Sequence, residues 1–283
     1  MDYSLVIIAS ILYGVVPTVQ NLVLEEGVSA YGLIACFGTM NIFTALLSCK
    51  FEHASIKVNK KQFYLLLLAG FCMYMTDLGL ELSYAYIPIG FATMIHFTYP
   101  TVICVICALF FKEKINWYKI IAIGCSISGM YFLAGSDFSG DFLGIPIAFS
   151  TALFYSAYML LVDKTAIAEV PATTRTFYSS CFFAFIAIIM TIKTKGTICS
   201  TPKQWFLAFI VSLMMYYAAL FLTKGITRLS AGTVSFLNMI EPLTSFIVST
   251  IVFQYSLATK SILGCVLIVL SLIPIAINAN KAS

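Results

Sequence analysis

The chain has 283 residues, of which 61% are hydrophobic and only 10% are charged, and its formal net charge is +4. A soluble domain carries roughly 25% charged residues, so this sequence has too few charges to cover a water-facing surface. The composition therefore excludes a soluble enzyme, a disordered chain and a nucleic-acid-binding protein, and it indicates a polytopic membrane protein.

Ten apolar runs follow one another along the chain, each of about 20 residues, the length that a helix needs to cross a bilayer. Lipid offers no partner to backbone N–H and C=O groups, so each run predicts a helix. The predicted fold is an all-α polytopic membrane protein with ten transmembrane helices and no separate soluble domain. The spans are 4–23, 31–49, 63–83, 90–111, 117–135, 143–162, 174–192, 205–223, 232–253 and 261–278.

The basic residues are distributed unevenly between the two sets of loops. Of the 16 Lys and Arg residues, four lie on the side away from the amino terminus, and the other twelve lie on the amino-terminal side. The positive-inside rule then predicts a multi-pass protein of the cell membrane with both termini in the cytoplasm. The segment Met1–Ser4 has no basic residue, so we expect the first span to be retained as a helix.

An internal repeat links the two halves of the sequence. The segment Gly90–Pro100 aligns with Gly232–Pro242 at an offset of 142 residues, and the same offset aligns Tyr13 with Tyr155. Residues 1–136 therefore form a first five-helix unit and residues 137–283 a second. Because five is odd, the second unit enters the membrane from the opposite side. An inverted repeat is typical of secondary transporters, whose site lies near the midplane between the halves.

Several short motifs, in this order and duplicated, resemble a known family. They are Leu12-Tyr13-Gly14, Tyr99-Pro100, Phe111-Lys112-Glu113-Lys114, Phe154-Tyr155-Ser156-Ala157-Tyr158 and Glu241-Pro242. The chain resembles the EamA-like ten-helix branch of the drug/metabolite transporter superfamily. The resemblance implies a secondary transporter, most commonly an exporter of amino acids or related metabolites. Tyr13 replaces the family's usual Trp, and Tyr255 stands where a second acidic residue like Glu113 is frequent.

Three carboxylates lie inside the predicted spans. Each costs about 2.5–3.5 kcal/mol to insert at a helix centre, so each requires a cavity or a partner. Asp77 and Glu81 are four residues apart, on one face of the third span, and Glu241 is the deepest of the three. They predict an aqueous path that binds a cation, a proton or a substrate amine. The alternatives are structural hydrogen bonds for Glu241 and simple solvation for Glu81.

Prolines inside the spans predict helix kinks. Proline cannot donate a hydrogen bond to the carbonyl four residues earlier, so Pro100 and Pro242 would free the carbonyls of His96 and Asn238. Pro17 would free that of Tyr13 in the same way, near Gln20. Each kink would gather a free carbonyl and a polar side chain at one depth, although a kink that only helps helices to pack is an equal alternative.

The remaining candidates for substrate binding are polar or aromatic side chains within the spans. A lone histidine is more often a hydrogen-bonded core residue than a metal ligand, but it can also carry a proton. Tyrosines can stack on a planar substrate, hold an ammonium group by cation–π attraction, or simply pack between helices. With the three prolines as helix kinks, the predicted substrate-binding residues are Glu241, Asn238, His96, Tyr99, Tyr13, Tyr155, Tyr158, Asp77 and Gln20.

No catalytic residue, cofactor or metal site is predicted. Most of the nine cysteines lie in apolar runs, so the Cys104–Cys107 pair is interpreted as packing, and Cys199 has no expected partner in its loop. Every Lys and Arg falls at a membrane edge, which disfavours a heavily phosphorylated substrate. Small residues on the helices, such as Gly124 and Ser128, allow either packing within the chain or a homodimer.

Taken together, these patterns predict a secondary transporter rather than an enzyme. Its substrate would be a small organic metabolite such as an amino acid or an amine, carried by alternating access and with proton coupling left open. An intramembrane enzyme and a channel-like or structural membrane protein are the alternatives. The lipid bilayer and the small molecule are the expected partners, and no nucleic acid is expected.

Overall fold

The computed structural model of the chain describes residues 2–113, 116–134, 141–254 and 259–282, without the side chains of 133, 134 and 274–282. The predicted boundary between the repeats, at 136 and 137, and Tyr255 lie outside the described residues. The helices are α1 (Asp2–Leu24), α2 (Ala30–Phe51), α3 (Lys60–Tyr84), α4 (Ile89–His96), α5 (Tyr99–Phe111), α6 (Trp117–Ala134), α7 (Gly144–Lys164), α8 (Ala172–Thr194), α9 (Pro202–Leu229), α10 (Ala231–Leu237), α11 (Ile240–Phe253) and α12 (Thr259–Ala282).

These helices confirm the predicted all-α membrane fold. In the described part of the chain, eight helical segments are long and apolar enough to cross a membrane, and Thr259–Ile273 is a shorter apolar helix. The fourth span, Ile89–Phe111, comprises α4 and α5, and the ninth, Ala231–Phe253, comprises α10 and α11. With α6, of 18 residues, the described segments follow the ten predicted spans. The largest error is in the eighth span, because α9 continues to Leu229.

Polar side chains at the membrane edges fix where several helices begin. Ser29 accepts a hydrogen bond from the N–H of Gly32 and caps α2. Asn59 with Gln62 forms a capping box at the start of α3. Thr201 with Gln204 does the same for α9, where Pro202 occupies the first helical position. Such side chains satisfy N–H groups that have no partner within the helix, so these caps set the ends of the apolar segments.

The fourth and ninth spans are each divided in two at equivalent positions. The break after His96 and the break after Leu237 fall within one residue of each other at the 142-residue offset. Lys112 and Gln254, the residues that end α5 and α11, are also equivalent, and both adopt the left-handed conformation, with φ of 55° and 54°. The internal repeat seen in the sequence is thus repeated in the backbone.

The prolines act differently from the simple kinks that the sequence predicts. Pro100 and Pro242 lie in the first turns of α5 and α11, where an N–H has no intrahelical partner, so the span divides instead of bending. The prediction that the carbonyl of Asn238 is free is wrong, because that carbonyl accepts a hydrogen bond from the N–H of Glu241 at 2.9 Å. Pro17 does lie within a continuous helix, α1.

The helix contacts form a pattern that is unchanged when the two halves are exchanged. α1 packs on α9, and the equivalent pair is α7 with α3. α2 packs on α8 and α6 on α12, and each of these two pairs is its own equivalent. Such pairing is the arrangement of two related five-helix units around a pseudo-twofold axis, and it is consistent with the predicted inverted repeat.

A glycine brings α1 against α11. A Cβ atom at Gly14 would lie 2.6 Å from the carbonyl oxygen of Glu241 and 2.6 Å from Cβ of Thr244. Because only glycine allows this approach, the first turn of α11 rests directly on the backbone of α1. This contact fixes the depth of Glu241.

Candidate functional site: a central cavity

A cavity of about 650 Å³ lies between the two halves. We call the face that carries Asp2 the N-terminal face, and the face that carries the Glu25–Gly27 turn the opposite face. The wall of the cavity reaches Tyr84 and Ile89, at the opposite-face ends of α3 and α4. Towards the N-terminal face it reaches Tyr158 and Ala219, within α7 and α9, and Thr176, in the second turn of α8. Tyr84 and Ile89 stand at the very ends of their helices, so they place the opening of the cavity at the opposite face.

Most of the residues predicted to bind substrate lie on this wall. Asn238 and Pro100 are the exceptions, and both are buried. The predicted residues on the wall are Tyr13, Pro17, Gln20, Asp77, His96, Tyr99, Tyr155, Tyr158, Glu241 and Pro242.

The three carboxylates on the wall are Asp77, Glu81 and Glu241. Asp77 and Glu81 project from α3 into the space, and Glu241 comes from the first turn of α11. Among the described residues, none of these carboxylates makes a hydrogen bond or an ion pair with another side chain. A carboxylate without a protein partner at this depth is available to a cation.

Aromatic rings form the floor of the cavity. The ring centroids of Tyr99 and Tyr155 are 4.6 Å apart in an edge-to-face arrangement. The ring of His96 lies 5.5 Å from Tyr99 and 5.4 Å from Tyr155, and Tyr158 stacks on Tyr155 at 6.0 Å. These four residues form a continuous aromatic cluster from α4 and α5 to α7, in which Tyr99 is fully buried and the other three side chains are 7–8% exposed to the cavity. The exposed rings can contact a flat or cationic group.

The hydrogen bond of His96 fixes the tautomer of its neutral ring. Nδ1 of His96 lies 3.0 Å from the hydroxyl of Thr151, and that hydroxyl donates its own proton to the carbonyl of Ala148 at 2.6 Å. When Thr151 donates to that carbonyl it accepts the bond from Nδ1–H, and Nε2 of the neutral imidazole is then an acceptor. His96 is thus both a bonded core residue and part of the wall.

Asn238 holds the aromatic floor from behind instead of facing the cavity. It is fully buried, its Nδ2 donates to the hydroxyl of Tyr155 at 3.2 Å, and its Oδ1 lies 2.9 Å from the hydroxyl of Ser10. In this conformation Asn238 therefore links α1, α7 and the break between α10 and α11. The sequence identified a polar residue at this depth but not the direction of its side chain.

Sequence reasoning missed several polar residues on the wall. Asn41 accepts a hydrogen bond from Ser212 at 2.6 Å and joins α2 to α9. The sequence does single out Asn41, since an amide inside an apolar span requires a hydrogen-bonding partner. Serine and threonine gave a weaker signal because they also bond to their own helix backbone. The missed residues of this kind are Thr76, Thr93, Thr176, Ser179, Ser180, Ser245 and Ser249.

Arg175 corrects the expectation that every base lies at a membrane edge. The side chain belongs to the first turn of α8 and only 5% of it is exposed. Its Nη1 and Nη2 donate to the carbonyls of Ile167 and Thr223, at 3.3 and 3.1 Å. Arg175 and Tyr158 line a void of about 20 Å³, smaller than one residue, that lies beneath the cavity floor. The guanidinium is therefore screened from the main cavity.

Ion pairs join the two halves at the N-terminal face. Asp2 pairs with Arg228 at 2.7 Å, Glu52 with Lys224 at 3.0 Å, and Glu113 with Lys164 at 3.0 Å. In each pair the acid belongs to the first half and the base to the second. These contacts hold the two halves together at this face. At the opposite face, Glu26 pairs with Lys203.

The cysteines and acids of the described chain have no arrangement typical of metal binding. All nine cysteines are free thiols, and Cys199 is buried in the same apolar cluster as Cys36. Among the residues that the structure describes, no group of three or more His, Cys, Asp or Glu side chains could hold a metal ion.

The fold and the cavity define a membrane transporter built from two related units. The EamA-like transporter family matches residues 2–135 and 142–277, one match for each half. The chain therefore belongs to the EamA-like transporter family, within the drug/metabolite transporter superfamily.

Two further comparisons agree with this assignment. An uncharacterized transporter of Synechocystis sp. (strain ATCC 27184 / PCC 6803 / Kazusa), sll1319, is 21% identical over 239 residues, which cover 80% of this chain and 70% of that protein. A solved crystal structure superposes with a TM-score of 0.85 at 13% identity, covering 100% of this chain and 98% of the other. The second likeness concerns the fold alone.

Proposed function

We propose that the protein is a secondary transporter, an exporter of a small organic metabolite such as an amino acid or an amine, that works by alternating access. The observation that carries this proposal is a cavity of about 650 Å³ whose wall reaches the ends of α3 and α4 at the opposite face, while three ion pairs join the halves at the N-terminal face. A volume of this order suits a small organic molecule. Closure of the second face is what a carrier requires and an open channel does not have.

The transport cycle follows from the pairing of the halves. In the described conformation, the three ion pairs at the N-terminal face hold α2 and α9, α1 and α9, and α5 and α7 together. Rocking one unit against the other would break these contacts and close the opposite face. Because the halves are related by a pseudo-twofold axis, the second conformation would resemble the first with the roles of the two halves exchanged.

The cavity opens to the outside if the protein lies in the cell membrane with both termini in the cytoplasm, as we propose from the basic residues. The substrate would then be released from this conformation and loaded from the other. A reporter fused to the carboxy terminus, active only in the cytoplasm, tests the orientation. Activity of the opposite reporter, which works only outside the cell, would reverse the assignment of the faces.

Counterflow in proteoliposomes tests the carrier mechanism. Vesicles loaded with an unlabelled amine or amino acid should accumulate the labelled compound transiently, and the initial rate should saturate with concentration. A carrier shows both effects, whereas a channel shows neither. Flux that rises linearly without counterflow would favour the channel-like alternative, and chemical conversion of the compound would favour an enzyme.

Proton coupling and a homodimer complete the proposal. Glu241, Asp77 and His96 line the cavity and can each exchange a proton with it. Gly124 and Ser128 lie on the exposed face of α6, where a second copy could pack, as small residues allow close helix approach. A pH gradient that drives uptake, and the mass of the protein in detergent, test these two points.

A further inference from the structure

We infer that the cavity selects organic cations, namely protonated or quaternary amines that carry an aromatic or apolar body and no carboxylate. This inference deepens the function proposed above and rests on it. It separates the amines from the amino acids, which the proposed function leaves together.

The charge of the wall favours a cation. Asp77, Glu81 and Glu241 face the space, and the described wall contains no lysine or arginine. None of the three carboxylates has a hydrogen-bonded or ion-paired partner among the described side chains. Asp77 and Glu81 are exposed to the space and Glu241 is half-buried, so no described protein group neutralises their charge and it acts on whatever enters the cavity. A ligand cation would balance that negative charge, and an anion would increase the imbalance.

The acids follow one another along the cavity. Glu81 lies near the mouth, and Asp77 lies one helical turn, about 6 Å, further in on the same face of α3. Glu241 stands at the break between α10 and α11, on the other half of the protein. The three acids thus line one cavity from both halves of the protein, so a cation that enters at Glu81 faces a carboxylate of each half.

The aromatic floor suits the same class of ligand. The rings of Tyr99, Tyr155 and Tyr158 meet at 4.6 and 6.0 Å, and Tyr13 also lines the space. The electron-rich face of a tyrosine ring attracts an ammonium group, and the same surface packs against a flat apolar body. Nε2 of neutral His96 adds an acceptor and no positive charge. Tyr99 is fully buried, so the ring surface that a ligand can reach belongs to half-buried Tyr13 and to the 7% exposed side chains of Tyr155 and Tyr158. These rings and the acceptors of the wall are groups that suit an N–H⁺ donor.

A carboxylate on the ligand would find no basic side chain. Arg175 is the buried base nearest to the cavity floor, but its two terminal nitrogens bind the carbonyls of Ile167 and Thr223. Tyr158 and Thr176 stand between that void and the main cavity, as both line the two spaces. The carboxylate of an amino acid would meet hydroxyl groups, amide groups and the imidazole of His96, beside the acids of the wall. A zwitterion is thus held less well than the amine that lacks the carboxylate.

The test uses four compounds with the same ring and different charge: phenethylamine, phenylalanine, 3-phenylpropionate and 2-phenylethanol. Binding to the purified full-length protein is measured by thermal shift and by calorimetry. Transport is measured by counterflow of labelled phenethylamine in proteoliposomes. We expect phenethylamine to bind at least about tenfold more tightly than any of the other three, a difference of about 1.4 kcal/mol. Equal or tighter binding of phenylalanine or phenylpropionate would overturn the inference.

Variants connect the selectivity to the carboxylates. Asp77→Asn and Glu241→Gln should each weaken phenethylamine binding by about tenfold or more and leave 2-phenylethanol unchanged. Glu25→Gln is the matched control. Glu25 begins the turn at the opposite face, accepts a hydrogen bond from Asn21, and does not line the cavity. Equal loss for the amine and the alcohol would show a structural effect and overturn the assignment. Saturable counterflow of another class of compound would leave the proposed carrier function intact, whereas no counterflow of any compound would reject both.

Discussion

Glu241 is held in place by close backbone packing, and its side chain lines the cavity. Gly14 brings α1 against its carbonyl, the break after Leu237 places it in the first turn of a new helix, and its side chain faces the cavity. The N-terminal turn of a helix favours negative charge. The position therefore keeps an acid available deep inside the protein, without a described protein partner.

We expect Glu241→Gln to abolish transport of a cationic or zwitterionic substrate, or to remove its dependence on pH, while folding and membrane insertion remain intact. The amide keeps the shape and removes the charge that a substrate ammonium or a proton would use. The measurement is uptake into proteoliposomes at two pH values for wild type and variant. An unchanged rate with unchanged pH dependence would make Glu241 a structural residue, and Asp77 would become the next candidate.

Asn238 has a separate role that its hydrogen bonds predict. Asn238→Leu keeps the volume but removes the bonds to Tyr155 and Ser10. Ser10 still donates to the carbonyl of Val6, but the buried hydroxyl of Tyr155 loses its described partner, at a cost of about 1–3 kcal/mol, so the midpoint of thermal unfolding should fall. The freed ring of Tyr155 should also bind substrate more weakly. Asn116→Leu is the control, because Asn116 makes its bond to Tyr118 at an exposed site. A variant as stable as the control would contradict the positioning role.

Among the helices, the close contact of α1 with α11 is the most sensitive to a small change. A Cβ at Gly14 would overlap the backbone and side chain of α11, whereas a Cβ at Gly124 meets nothing within 4 Å. Overpacking of a tight contact costs about 1–3 kcal/mol. Gly14→Ala should therefore lower thermal stability and displace Glu241, with a loss of transport, while Gly124→Ala, whose Cβ meets no described atom of the same chain, should leave the unfolding midpoint of the monomeric protein unchanged. Equal behaviour of the two variants, measured by unfolding midpoint and uptake, would show that the helices adjust freely.

The elements show what could be predicted from the sequence. Apolar length predicted the spans, and the repeat predicted that the regions around Pro100 and Pro242 correspond. The division of each region into two helices was not predicted, because a proline in the first turn and a proline within a helix look alike in sequence. The direction in which each side chain points could not be predicted from the sequence either. Asn238 and His96 align in the repeat, yet His96 lines the cavity and Asn238 lies behind Tyr155.

Arg175 illustrates a second limit of the sequence. Its position at the start of the seventh predicted span suggested a membrane edge, but the side chain is buried in the first turn of α8, which begins at Ala172. Tertiary packing decides this outcome, because the accepting carbonyls belong to Ile167, eight residues earlier, and Thr223, on α9. No local pattern could indicate the second of these partners.

For the whole molecule, the balance between two conformations depends on contacts that only one of them makes. The three pairs at the N-terminal face join the halves in the described conformation. A partly exposed pair contributes about 0–1 kcal/mol, so no single pair determines the state, but three together can shift a near-balanced equilibrium severalfold. Breaking one should favour the conformation in which the N-terminal face is open.

We expect Lys224→Glu to favour that second conformation, because it places two acids together where Glu52 and Lys224 now pair at 3.0 Å. Ser245→Cys provides the readout, since Ser245 lines the cavity and a membrane-impermeant maleimide reaches it through the opposite face. Labelling of that cysteine, above the background of the protein without it, should slow by about two- to fivefold, the change that about 0.5–1 kcal/mol produces.

The charge-swapped double variant decides whether the pair itself is responsible. Glu52→Lys together with Lys224→Glu restores an attraction between the same positions, so labelling should return towards the original rate. Lys57→Glu is the matched control, because it reverses a basic charge in the same face's loop at a residue that has no described ion pair. If Lys57→Glu slows labelling as much as Lys224→Glu, the effect follows from the net charge of the face, and the contact between α2 and α9 does not hold this face closed.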